Sequence, residues 1–312
     1  MYDVDEVRRW LTVTGEPTAT HDGHVPSEYR RFYGLEFEGA AHEMGYLDAA
    51  GEHIFVQHFA PHSGRHPQPV GTMFLLHGYL DHSGLHHRTI GRLLGRGMHV
   101  VAFDEPGHGL STGHRASIES FANYVECVDV CKEFYADLPG PHCIMGHSMG
   151  GAVSMTCLLT RPGDFSKAVL VAPLFRPRSW RLIRSLHAVG RHFIERQPRR
   201  FVQNTGDESF RHFIREVDPL SPREVPMQWV TSMFDWTREF VALDPSDAQV
   251  LVVQGTDDGT VDWHGNLEVI RKKFNNVRIH LVNEGKHHLL NETEDISEIA
   301  WQAIEPFLRG HY

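Results

Sequence analysis

The sequence predicts an α/β fold: an eight-stranded, mostly parallel sheet flanked by helices, with a helical cap inserted late in the chain. Three observations carry this expectation. Short apolar, β-branched runs alternate with helix-length segments, as in a doubly wound sheet. A serine framed by glycines sits where one such run turns into a helix. The alternation then stops between residues 174 and 248, where Pro177, Pro198, Pro219, Pro222, Pro226 and Pro245 break the chain into short pieces.

Residues 1–40 read as an N-terminal extension with an extra helix and an arm. Strands are expected at 44–49 and 53–59, which adjoin directly and so form an antiparallel pair. Six more follow at 71–77, 98–103, 141–147, 167–173, 249–254 and 277–282. Helices are expected between them at 86–96, 118–137, 150–161, 263–275 and 295–309. The implied division is an extension (1–40), a core of 41–175 and 247–312, and a cap over 176–246. The cap's apolar residues, among them Phe201, Phe210, Phe213, Trp229, Met233 and Trp236, recur at roughly helical spacing. Most are expected to pack on the main domain. Because the insert leaves the sheet on the serine's side, some are expected to line a pocket.

Composition bounds the function. A chain of 312 residues with 41% apolar content can bury a sizeable core in one α/β domain. No apolar run approaches the roughly 18 residues of a membrane span. The acidic start, Met1-Tyr2-Asp3-Val4-Asp5-Glu6, resembles no secretory signal, so a cytoplasmic location is expected. Cys127, Cys131, Cys143 and Cys157 suggest neither a disulfide framework nor a zinc set, and free thiols suit a reducing compartment. A net charge of −10 argues against general nucleic-acid binding. That charge is uneven. Residues 176–243 hold twelve arginines, no lysine and eight acids, about +4, which leaves −14 for the rest.

The serine is Ser148 in Gly146-His147-Ser148-Met149-Gly150-Gly151, a G-x-S-x-G elbow between an apolar run and a helix-forming run. A strained strand-to-helix turn excludes bulk two residues either side of its apex, and glycine meets that need. A serine hydroxyl is a poor nucleophile without a base, and the base needs an orienting acid. The acid is expected after the run Val250–Gly255, where Asp257, Asp258 and Asp262 compete; the Gly-x-x-Asp pattern favours Asp258. The other two have an ordinary role open to them in turn capping. The base is expected after the last strand, at His287 in preference to His288, its expected solvated neighbour. With 24 histidines in the chain, position decides: His287 lies 29 residues past Asp258, room for one helix and one strand. An oxyanion hole is expected from the backbone N–H groups of Tyr79, after His77-Gly78, and of Met149. Removing such a donor costs roughly 3–4 kcal/mol of barrier.

These motifs, with Asp104-Glu105-Pro106-Gly107-His108-Gly109-Leu110-Ser111 and His287-His288-Leu289-Leu290-Asn291-Glu292, resemble the α/β-hydrolase superfamily. More narrowly they are similar to monoacylglycerol lipases and lysophospholipase-like esterases, over about 44–175 and 247–310. Tyr79 and Leu80 are bulkier than the small residues some lipases carry there. The resemblance implies a serine ester hydrolase cleaving medium- or long-chain acyl esters through an acyl-enzyme, with a small-molecule or lipid ester as substrate. Lysophospholipase and thioesterase activity remain alternatives, as does a non-catalytic ligand sensor on the same scaffold. No cofactor is expected. His82-Ser83-Gly84-Leu85-His86-His87 suggests a metal, but no carboxylate partner is spaced for it in sequence, so no metal is expected either. Asp104-Glu105 is expected to shape a pocket wall. The basic cap raises transient contact with an anionic membrane surface, against the plainer reading that its arginines are solvated or paired with the cap's own acids.

Overall fold

A computed structural model describes residues 2–19, 24–66, 68–191 and 193–310. In chain order the helices are α1 (Val4–Thr14), α2 (His24–Tyr33), α3 (His87–Leu94), α4 (Phe121–Phe134), α5 (Met149–Thr160), α6 (Trp180–Gly190), α7 (Glu208–His212), α8 (Met227–Ala242), α9 (Trp263–Lys273) and α10 (Glu294–Arg309). The strands are β1 (Thr18–Ala19), β2 (Ala41–Ala49), β3 (Glu52–Ala60), β4 (Gly71–Leu76), β5 (Met98–Phe103), β6 (His142–His147), β7 (Lys167–Val171), β8 (Arg196–Pro198), β9 (Glu224–Pro226), β10 (Ser246–Gly255) and β11 (Phe274–Val282).

The main sheet runs β1-β2-β3-β5-β4-β6-β7-β10-β11. The pairs β1–β2, β2–β3 and β3–β5 are antiparallel, and from β5 to β11 every pair is parallel. All eight expected strands are present. The two-residue β1 adds a ninth at the edge, too short to leave a periodic signal. Alternate residues feed opposite faces, as the pleat requires. Phe74, Leu76, Ile144, Val250 and Val252 point to one core with α4, α5, α8 and α9. Met73, Leu75, Cys143, Met145, Leu251 and Val253 point to the other with α1, α2, α3 and α10. Burial on both faces is why these strands read as unbroken apolar runs.

The N-terminal segment forms two helices rather than one helix and an arm. Tyr29 and Tyr33 bury into the second core, and Tyr33 Oη donates to Asp218 Oδ1 at 2.8 Å, tying α2 to the segment between α7 and α8. The segment 176–246 holds α6, α7, α8 and the small hairpin β8–β9. It leaves beside the loop after β10: Arg178 N donates to Thr260 O at 2.9 Å, and Asp262 N to Arg176 O at 3.0 Å. No described helix is long and apolar enough to cross a membrane.

Candidate active site

Parallel strands end on the same side of a sheet, so the loops leaving β4, β6, β10 and β11 converge there. The loop after β6 turns at once into α5. Ser148 sits at its apex with φ +50° and ψ −110°, a region that side chains other than glycine rarely occupy. A Cβ on Gly146 would stand 2.2 Å from Gly150 O, and one on Gly150 would stand 2.5 Å from Leu76 O. Both glycines are therefore steric necessities. The apex is held from both sides: Ser148 N donates to Val171 O at 3.0 Å, and Ser148 O accepts from Leu174 N at 2.9 Å.

The structure brings together Ser148, His287 and Asp258. His287 Nε2 lies 2.9 Å from Ser148 Oγ, and His287 Nδ1 lies 2.8 Å from Asp258 Oδ2. The carboxylate accepts three further bonds, from Gln254 Nε2 (3.1 Å), Thr260 N (2.8 Å) and Val261 N (3.2 Å). Burial opposes ionisation of Asp258, but the His287 ring and these donors outweigh it and hold the carboxyl below its usual range. All three residues are buried. Asp257 is exposed, and Asp262 Oδ1 caps α9 by accepting from Gly265 N at 3.4 Å. Gln254, the one polar side chain at the end of an apolar strand, was not singled out from the sequence, although its position was the available signal.

The expected oxyanion donors lie on two segments that meet at the elbow. Met149 opens α5, so its N–H belongs to the first helical turn, which has no intrahelical acceptor. A Cβ on Gly78 would stand 2.7 Å from His147 Nδ1 and 3.3 Å from Ser148 Cβ, so the loop carrying Tyr79 lies directly against the elbow. His77 braces that loop: its Nδ1 bonds Gly78 O at 2.7 Å, and its Nε2 accepts from Glu105 N at 2.9 Å. Asp104 is a structural pin, accepting from Ser83 N, Ser83 Oγ and Leu110 N. Glu105 is buried with neither oxygen hydrogen-bonded among the described residues; burial and the adjacent Asp104 push its carboxyl well above the usual range.

Residues of 176–246 pack against the loop after β4. The Trp229 ring stacks on Tyr79 at 3.6 Å between centroids, and Tyr79 Oη donates to Ala116 O at 2.8 Å. Arg199 Nη1 donates to Leu80 O, Ser221 Oγ and Pro222 O, and burial lowers its guanidinium to about 10. His288 differs from its expected solvated state. It is buried against His147 and Phe210, its N–H donates to Asn204 O at 2.9 Å, and burial lowers its ring to about 3. These partners come from β6 and from the segment 204–210, and nothing in the local sequence announces them.

A parallel sheet with this strand order, crossed by a nucleophile-type elbow at its middle strand, defines the protein as an α/β hydrolase. Comparison with known proteins agrees. Residues 67–294 match the family model described as serine aminopeptidase, S33, and the chain belongs to that family. It is similar to the monoglyceride lipase homolog of Monkeypox virus, 26% identical over 249 residues covering 77% of this chain and 90% of that protein. It is 33% identical to the monoglyceride lipase of Homo sapiens over 130 residues, 41% of this chain; the stretch spans only 42% of that enzyme. A soluble variant of the Saccharomyces cerevisiae monoglyceride lipase shares the fold, with a TM-score of 0.74 at 17% identity over 85% of this chain and 94% of that one.

Proposed function

We propose that the protein is a serine ester hydrolase acting on medium- or long-chain acyl esters of the monoacylglycerol type. The observation that supports this most directly is the unbroken hydrogen-bonded chain from Ser148 Oγ through the His287 ring to Asp258. In this reading Ser148 attacks the ester carbonyl while His287 Nε2 takes its proton. Asp258 holds the proton of Nδ1, fixing the tautomer and stabilising the imidazolium as it forms. The N–H groups of Tyr79 and Met149 receive the developing oxyanion. His287 then gives its proton to the leaving alcohol, and water activated by the same ring hydrolyses the acyl-enzyme. Residues 176–246 act as a lid, with 1–40 as an extension and the remainder as the hydrolase core. Four buried free thiols favour a reducing, cytoplasmic setting.

The test is kcat/KM for p-nitrophenyl esters from acetyl to palmitoyl, with Ser148→Ala as control. A rise with chain length is expected; a maximum at acetyl would replace the lipid reading with a small-ester esterase. Labelling of Ser148 by a fluorophosphonate separates an enzyme from a ligand sensor.

A second reading, contact of the lid with an anionic lipid surface, is favoured by α6. Leu182, Leu186 and Val189 are exposed at helical spacing, and the exposed Arg181 and Arg184 are their neighbours in sequence.

A further inference from the structure

Beside the triad lies a second buried polar cluster that the proposed mechanism does not use. It is built from Asp81, in the loop after β4; His147, the last residue of β6; and His288, next to His287. One ligand-type atom of each lies within 4.8 Å of the other two, and all three side chains are buried. Asp81 Oδ1 accepts from His82 N at 2.9 Å, but Asp81 Oδ2 has no hydrogen-bond partner among the described residues. Nor has His147 Nδ1, which faces that oxygen at 3.9 Å. His86 Nε2 stands 3.4 Å from the same oxygen without hydrogen-bond alignment, and neither of its ring nitrogens has a partner.

The proton positions sharpen this. His147 Nε2 lies 3.1 Å from the carbonyl oxygen of His287. A carbonyl can only accept, so the His147 proton is on Nε2 and Nδ1 presents its lone pair. A lone pair and a carboxylate oxygen thus confront each other in a buried space. A ring that donates one N–H to a backbone carbonyl and turns its other nitrogen on a carboxylate and a second imidazole has the arrangement of a metal-ligating histidine.

We infer that Asp81, His147 and His288 form a site for a divalent first-row transition ion of the zinc and cobalt type. One carboxylate with two or three imidazoles is a donor set suited to these ions. Ligand bonds of about 2.0–2.1 Å place tetrahedral donors roughly 3.3 Å apart. The 3.9 Å between Asp81 Oδ2 and His147 Nδ1, in a group whose ligand atoms lie within 4.8 Å of one another, means that the donors must draw together on binding. That contraction pulls on the chain neighbours of Ser148 and His287 and on the carbonyl that His147 holds. Misplacing reacting groups by about 1 Å costs on the order of 100-fold in rate, so occupancy is expected to slow turnover. The inhibitory effect rests on the ester-hydrolase reading; the binding does not.

The test therefore has two readouts. Titration with Co2+ followed by visible absorption is expected to give one tight equivalent with tetrahedral-type bands in the wild-type protein. The same bands are expected in Ser148→Ala and are expected to vanish in Asp81→Asn and His288→Leu. Zinc at micromolar concentration is expected to slow hydrolysis of a short p-nitrophenyl ester by tenfold or more in the wild type. In each of the two ligand variants, compared with its own metal-free rate, it is expected to change the rate by less than twofold. Wild-type protein without a tight cobalt site would overturn the proposal and leave the two facing acceptors to a bridging water. So would full cobalt binding and zinc sensitivity in both variants, which would place the metal on His287 or on surface histidines. Cobalt binding without any esterase rate would overturn the proposed function and leave the metal site standing.

Discussion

The floor and the roof of the site are built on different principles. On the floor, Ser148, Asp258 and His287 sit on loops whose course is set by hydrogen-bonded parallel strands, and Asp258 alone gathers four bonds. On the roof, the contacts are separate and spread over several segments: the Trp229 stack on Tyr79, Arg199 on Leu80 O, Tyr33 Oη on Asp218, Thr205 Oγ1 on Asn291 O, Ser232 Oγ on Ile118 O and Glu119 O, and Trp236 Nε1 on Thr156 Oγ1. The described side chains of α6 are mostly exposed, and only His187 is buried. The floor over-determines its geometry, which lets it hold a strained serine. In the proposed function the floor carries the chemistry and the roof chooses the substrate.

The sharpest way to break this division is Ser148→Ala, expected to lower kcat/KM at least 10⁴-fold with an unchanged melting temperature. Next comes Asp258→Asn, expected to cost on the order of 10³–10⁴-fold in kcat, against less than about twofold for the exposed Asp257→Asn. Equal losses from the two would mean that the floor is misassigned.

Trp229→Ala tests the roof. It removes the ring that stacks on Tyr79, with an expected cost of about 3 kcal/mol in stability, read by denaturant unfolding. The rate should fall most for long acyl chains; a uniform fall across the ester series would count against the roof as a selector.

Glu105, on the floor but without a hydrogen-bond partner among the described residues, gives a smaller, pH-dependent effect. Its folded-state pKa is raised, so the native protein binds the proton more tightly than the unfolded chain does. Its contribution to stability is present below about pH 4.5 and is lost as pH rises toward the folded value. Glu105→Gln should therefore raise the melting temperature at pH 8 and gain little at pH 4; a gain independent of pH would refute the ionisation argument. Smallest of all, Leu186→Ser is expected to change stability by less than about 0.5 kcal/mol. The same change should weaken co-sedimentation with anionic vesicles, and unaltered sedimentation would discard the membrane contact.

Legibility in the sequence followed the range of the interaction. The strands β4, β6, β7 and β10 were readable because burial on both faces leaves uninterrupted apolar runs. The elbow was readable because its glycines answer clashes within a few residues. The first forty residues were poorly legible: Tyr2, Tyr29 and Tyr33 pack against one another and against Phe55, partners far away in the chain. The hairpin β8–β9 is three residues a side, below any periodic signal.

By itself the sequence determined the fold class, the positions of its strands, and the serine elbow, with His287 and Asp258 singled out as its partners, because local propensity and backbone sterics act between near neighbours. Only the tertiary structure decided that Asp257 faces solvent while Asp258 faces the ring, that His288 is buried, and that Trp229 covers Tyr79. It alone assembled Asp81, His86, His147 and His288, which come from three separate segments. The carboxylate, Asp81, stands immediately before the His82–His87 stretch, and the other imidazoles arrive across the sheet. Distances of about 3–5 Å between residues tens to hundreds of positions apart are set by how strands pair and how the segment 176–246 packs on the core, and no local pattern encodes them.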